Sequence, residues 1–173
     1  MATEQDRQAT LRPARPEDED FLAAVYGSTR TEELALVPWS DEQRERFSRM
    51  QFAAQQHHYQ TYFPSAIHQV ILLGEEPIGR IYVNRGEREI RILDITLLPA
   101  YRGQGLGSRL ILDLLAEAEA GNRSVTIHVE SFNRSRGLFE RLGFVPVKEE
   151  GAHLLFEWRA DSQSASPADD ERK

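Results

Sequence analysis

Apolar residues recur along the chain with two periods, and the predicted element type changes where the period changes. Leu11 to Arg15 reads as a short strand ending near Pro13, and Pro16 suits the first turn of a following helix. The acidic run Glu17 to Asp20 complements the positive end of that helix, whose stripe Phe21, Leu22, Val25 and Tyr26 ends near Gly27. Ser40 and Gln43 have the spacing of a capping box, which opens a second helix carrying Phe47, Met50 and Phe52 toward Tyr59. Its tail is polar, with Gln51, Gln55, Gln56, His57, His58 and Gln60, so its end is expected to face a ligand rather than a sheet. Three strands follow, Ile67 to Leu73, Pro77 to Asn84 and Glu89 to Leu97, with turns at Gly74-Glu75-Glu76 and Arg85-Gly86-Glu87 that make an antiparallel meander.

After Pro99 the period lengthens to about 3.6, and Leu106, Leu110, Leu114 and Leu115 form a helix face that stops near Gly121-Asn122. Val125, Ile127 and Val129 then alternate with Thr126, His128 and Glu130, as in a strand with two differently used faces. A short helix from Ser135 to Leu142 and strands at Phe144 to Val147 and His153 to Trp158 complete the pattern. This order predicts an α/β (α+β) fold and fits neither a solenoid nor a uniform βα repeat. Residues 1–159 are expected to form a single domain. From Ala160 the chain holds no aliphatic residue larger than alanine, so residues 160–173 are expected to be a disordered acidic tail.

Composition narrows the function classes. No apolar run approaches the roughly 18 residues of a membrane span, and the polar start lacks a signal-peptide pattern, so a cytoplasmic protein without membrane contact is expected. Cysteine is absent, which removes disulfides, thiolate metal sites and a cysteine nucleophile. With 21 Lys plus Arg against 28 Asp plus Glu, the net charge of -7 argues against general nucleic-acid binding. Arg80, Arg85, Arg88 and Arg91 read as solvated surface or a hairpin rim. The adjacent His57 and His58 point about 100 degrees apart on a helix and have no third ligand, so no metal site is expected. Nothing in the pattern specifies an oligomeric state.

The most informative segment is Leu97-Leu98-Pro99-Ala100-Tyr101-Arg102-Gly103-Gln104-Gly105-Leu106-Gly107, between a strand end and a helix start. Glycines at 103, 105 and 107 permit tight dihedrals and close backbone approach, while the helix start directs unpaired N–H groups and its positive dipole end at the turn. A pyrophosphate fits such a place, and Arg102 adds a charge-assisted contact. The spacing lacks the Lys-Ser or Lys-Thr pair of a P-loop and the two-then-three glycine spacing of a dinucleotide fingerprint. A helix start with no ligand is the competing reading.

In Arg102-Gly103-Gln104-Gly105-Leu106-Gly107 the sequence resembles the GNAT superfamily of acyl-CoA-dependent N-acetyltransferases, whose pyrophosphate loop reads Arg or Gln, two residues, Gly, one residue, Gly or Ala. The resemblance continues in His128-Val129-Glu130-Ser131-Phe132-Asn133 and Leu138-Phe139-Glu140-Arg141-Leu142-Gly143-Phe144, and covers residues 10 to 158, with the part before residue 66 matching in arrangement only. It implies a mixed, mostly antiparallel central sheet flanked by helices, acetyl-CoA as cofactor, and an amine-bearing small molecule or peptide as acceptor. It implies that backbone groups near Leu97 and Pro99 engage the pantetheine arm and that the turn of Gly103, Gln104, Gly105 and Gly107 lies by the pyrophosphate. Asn133 would hold the cofactor arm where neighbouring strands splay; read from the residues alone, an asparagine after a strand is otherwise an ordinary helix cap.

Amide formation needs a neutral amine, a thioester held within attack distance, donors facing the developing oxyanion and a path for the amine proton. Many family members place a tyrosine acid where this chain has Phe139, which cannot donate a proton. Tyr59, Tyr62 or solvent could replace it, or the thiolate could leave unassisted, since thiols have pKa values of about 8.5. His128 stands where some members carry a carboxylate base, and it is the first choice of base, with a structural histidine as the alternative. Glu130 reads as substrate-orienting or structural. Asp94, a carboxylate in an apolar strand, either binds or deprotonates the acceptor or makes a buried hydrogen bond to backbone. Phe47, Tyr59, Tyr62 and Phe63 read as pocket lining or as core. The missing tyrosine leaves a nonenzymatic acyl-CoA-binding sensor as the rival to an N-acetyltransferase.

Overall fold

The computed structural model describes residues 8–131, 133 and 135–160, so the expected tail lies outside the described residues apart from Ala160. Strand β1 (Ala9–Pro13) leads through a 3-10 turn into helix α1 (Glu19–Ser28), a single turn α2 (Thr31–Leu34) and the long helix α3 (Asp41–Tyr62). Strands β2 (Ile67–Leu73), β3 (Glu76–Arg85) and β4 (Glu89–Leu97) precede helix α4 (Leu106–Ala120), strand β5 (Ser124–Glu130), helix α5 (Arg136–Arg141), and strands β6 (Val145–Glu150) and β7 (His153–Trp158). Each element expected from the pattern is present. The addition is α2, whose four residues are too few to show a period. The capping box forms as expected: Gln43 N donates to Ser40 Oγ at 3.2 Å, and Ser40 N donates to Gln43 Oε1 at 2.9 Å.

The strands form one sheet in the order β1-β2-β3-β4-β5-β7-β6. Every neighbouring pair is antiparallel except β4 and β5, which run parallel. On one face α4 packs Leu110, Ile111, Leu114, Leu115 and Ala118 into a core with Ile90, Ile92, Val125, Ile127 and Phe156. These helix positions follow the 3.6-residue period, and truncating a buried one such as Leu114 to Ala costs about 2–5 kcal/mol. On the other face a smaller cluster joins Leu22 and Tyr26 of α1 to Phe52 of α3 and Val70 of β2.

Arg80 lies under α3 on this second face and overturns the surface reading, being 0 % exposed. Its guanidinium pairs with Asp94 and donates to the side-chain oxygen of Gln55 and to Gln56 Oε1, the latter at 3.3 Å, and lies 5.3 Å from the Phe52 ring centre. Strand β3 is covered on both faces, so a residue alternating away from the main core meets α3 rather than water. Part of α3's polar tail is thereby explained: Gln55 and Gln56 turn to the sheet and replace the water that a buried guanidinium would otherwise lose.

Candidate active site

Strands β4 and β5 pair only from Glu89↔Ser124 to Ile92↔Ile127. Beyond those residues each strand keeps its outer partner, β4 with β3 as far as Leu97 and β5 with β7 as far as Glu130, and the two part company. The parting coincides with a bulge in β4, where Tyr82 faces Asp94 but Val83 faces Ile92, leaving Leu93 as the extra residue. Tyr59 Oη of α3 donates to the Leu93 carbonyl at 2.9 Å and so ties the helix to the bulge.

The glycine turn follows directly from the end of β4. Pro99 opens a 3-10 turn, Pro99–Tyr101, and Gly103 and Gly105 take φ values of +74° and +81°, the left-handed region open to glycine. Gly105 is the residue that caps α4, so the free N–H groups of a 15-residue helix emerge from this turn. A Cβ built on Gly103 or Gly105 meets nothing within 4 Å, whereas one on Gly107 meets Leu97 Cδ1 at 3.7 Å. The cradle above the turn is therefore open to the backbone approach of a diphosphate, and the residues present fit that group.

Arg102 flanks the cradle with its Nε donating to the Leu97 carbonyl at 2.8 Å and its Nη2 to Ser28 Oγ at 3.2 Å. The Leu97 carbonyl thus has one of its two acceptor positions engaged by Arg102. Gln104 Nε2 folds back onto the Ala100 carbonyl at 3.0 Å and stiffens the turn. Asn133 lies beyond the end of β5, where its Oδ1 accepts from Ser135 N at 2.9 Å and Ser135 Oγ at 2.7 Å. That is a turn held by the asparagine side chain just ahead of α5, whose N-cap is Ser135, and among the described residues the Nδ2 amide donor has no partner.

On the α3 side of the parted strands is a cleft of about 400 Å³ whose lining includes Gln55, Tyr59, Leu93 and His128. A second cleft of similar volume, about 400 Å³ between α1, α2 and α3, shares no lining residue with β4 or β5. His128 projects from the polar side of β5, and its Nε2 lies 3.0 Å from Glu150 Oε2 on β6. Lys148 and, after it, His128 hold the Glu150 carboxyl below its ordinary range. An ionised carboxylate only accepts, so Nε2 carries the ring proton and Nδ1 is the basic nitrogen.

Asp94 is not brought to this cleft as a free base. Its carboxylate is the counter-ion of buried Arg80 and also accepts from Thr96 Oγ1 at 2.9 Å, so its partner is a side-chain cation rather than backbone. Glu130 pairs with Arg30 at 3.2 Å. Tyr59 and Phe63 line the cleft, while Phe47 packs edge-on against Trp39 and Tyr62 is exposed. Phe139 is buried against Phe144, with ring centres 5.4 Å apart, and offers no proton. Burial raises the Tyr59 hydroxyl further above its ordinary range, and its proton is committed to Leu93. Sequence reading missed Glu150, Arg91 and His153 in the cleft. Arg91 alternates with Ile90 and Ile92 on β4, a signal that was present, but Glu150 and His153 arrive from a hairpin whose register the pattern did not specify.

The chain belongs to the acetyltransferase (GNAT) family, whose model matches residues 26–144. No curated protein matches the sequence significantly. The fold is similar to that of the PaiA N-acetyltransferase of Thermoplasma acidophilum in complex with coenzyme A, with a TM-score of 0.65, 16 % identity, and 88 % of this chain and 99 % of that chain covered. An acetyltransferase of Thermus thermophilus aligns with a TM-score of 0.63 and 20 % identity over 88 % and 97 % of the two chains. The ribosomal-protein-S18-alanine N-acetyltransferase of Escherichia coli gives a TM-score of 0.56 and 18 % identity over 88 % and 94 %. Acetyl-CoA is accordingly the cosubstrate, and acetyl transfer the activity. Among the described residues no helix is long and apolar enough to cross a membrane.

Proposed function

We propose that the chain is an N-acetyltransferase that delivers the acetyl group of acetyl-CoA directly to the amine of a small molecule or peptide. The observation that carries this reading is the parting of β4 from β5 between two unlike surfaces, the open glycine cradle and the cleft containing the His128–Glu150 pair. That structurally similar proteins include N-acetyltransferases supports nitrogen as the acceptor atom. When bound, the cosubstrate supplies an electrophilic thioester carbonyl. The α4 amide groups and Arg102 hold its diphosphate, Asn133 Nδ2 and the backbone near Leu97 and Pro99 meet its arm, and Leu93 shapes the gap. Glu150 orients the His128 ring, and Nδ1 takes the proton that an ammonium must lose before it attacks. With Phe139 buried and Tyr59 committed to Leu93, the thiolate departs without a side-chain acid, which a thiol pKa of about 8.5 permits. The proposed setting is the cytoplasm.

The same Phe139 favours the second reading, a sensor that binds acyl-CoA without turnover. Supplying acetyl-CoA and a broad amine panel, then measuring free thiol and acetylated product together, separates the two. The enzyme reading requires both in equal amounts. Acetyl-CoA binding without either product establishes the sensor, and an ester product in place of an amide overturns the nitrogen assignment.

A further inference from the structure

Resting on the reading of the cleft as the acceptor site, we propose that the acceptor bears a carboxylate beside its amine and that Arg91 recognises it. Arg91 lies in the cleft wall with its Nε donating to Glu89 Oε1 at 2.8 Å, and its guanidinium carbon is 5.8 Å from the Phe63 ring centre. These contacts hold the plane of the group while leaving its terminal nitrogens without a partner among the described residues. A guanidinium with one edge fixed and the end of its fork free is arranged for end-on binding of a planar carboxylate.

The rest of the wall agrees with that choice. Gln55, another wall residue, has its Oε1 engaged by Arg80, which has only donors to offer, so what its side chain has left for a ligand is chiefly N–H. His58 and His153 add imidazoles to the same wall. The carboxylate in the wall, Glu150, is already shared between Lys148 and His128. A polyamine would meet donors and a satisfied acid. A phosphate dianion would meet a single guanidinium, Arg91, whose charge is already shared with Glu89, with the Glu150 carboxylate also in the wall. A zwitterionic acceptor matches both ends, because Arg91 is level with Thr126 and His128 lies two residues further along the same face, roughly 7 Å on. Its ammonium would then lie toward His128 and its carboxylate toward Arg91.

The test compares amino acids of increasing amine-to-carboxylate separation with their decarboxylated amines, using the wild-type protein, Arg91→Gln and Arg91→Lys. The expected kcat/KM is at least about tenfold higher for the preferred amino acid than for its decarboxylated partner. Arg91→Gln should collapse that ratio mainly through KM, and Arg91→Lys should restore it only in part. Equal use of both members of each pair, or a preference that survives Arg91→Gln, overturns the proposal. Saturation-transfer NMR with the same amino acids gives a readout without turnover. Binding that depends on Arg91 in a protein that transfers nothing sustains the carboxylate site and sinks the enzyme reading, whereas acetylation of amines with no Arg91-dependent carboxylate binding does the reverse.

Discussion

His128 carries the proposed proton chemistry through one contact, the 3.0 Å approach of its Nε2 to Glu150. Gln at 128 keeps polarity and reach but takes no proton near neutral pH. His128→Gln should therefore lower turnover by about 10²-fold or more for an amine that begins protonated, with acetyl-CoA affinity retained. The defect should shrink as pH rises, because more of the amine arrives neutral. Rate measurements for both proteins between about pH 6 and about pH 9.5 check this, and parallel profiles across that range would remove His128 as the base. Of the proposed site, the positions marked by a motif or a strand period were legible in the sequence, as at Arg102 and His128. Glu150 was not, since its role comes from the β6–β7 hairpin crossing to β5, a contact 22 residues away along the chain.

At the scale of elements, the interface of α3 with β3 and β4 decides what Asp94 does. Asp94 neutralises an arginine with no solvent contact, so its removal leaves a buried charge unpaired. Asp94→Ala should cost about 3–5 kcal/mol of stability, while the double change Arg80→Met with Asp94→Leu should recover most of it. Chemical denaturation of the two variants is the measurement, and a fully stable Asp94→Ala protein would return Asp94 to the acceptor site. Helix and strand positions followed from periodicity, and the capping box fixed the start of α3. The polar tail of α3 was expected to face a ligand rather than the sheet; Gln55 and Gln56 instead serve Arg80, with Gln55 also lining the cleft. A polar stripe and a buried polar network have the same sequence pattern, and only the partner strand distinguishes them.

Across the whole molecule the same network ties stability to pH. His68 is stacked on Tyr82, with ring centres 4.4 Å apart, and Gln56 lies 3.3 Å from its Nδ1. Burial, reinforced by the Arg80 charge, lowers its pKa from 6.5 to about 4. Between those values the unfolded chain binds the proton and the folded chain does not, so stability falls as pH is lowered through this window. His68→Phe keeps the stacking and loses the titration, so its melting temperature should fall less than that of the wild type between about pH 7.5 and about pH 5; an equal fall would contradict the assignment. The proposed seat of acetyl-CoA is the turn from Arg102 to Gly107, where β4 and β5 part. It is tested most directly by calorimetric titration of acetyl-CoA into the wild type and into Gly105→Val. Because a Cβ at position 105 meets nothing within 4 Å beyond its own chain neighbours, the new side chain enters the space proposed for the ligand while also straining a φ of +81°. Saturable one-to-one binding is expected of the wild type, and at least about tenfold weaker binding of a variant whose circular dichroism shows it folded. No binding by the folded wild type, or equal binding by both proteins, would contradict it.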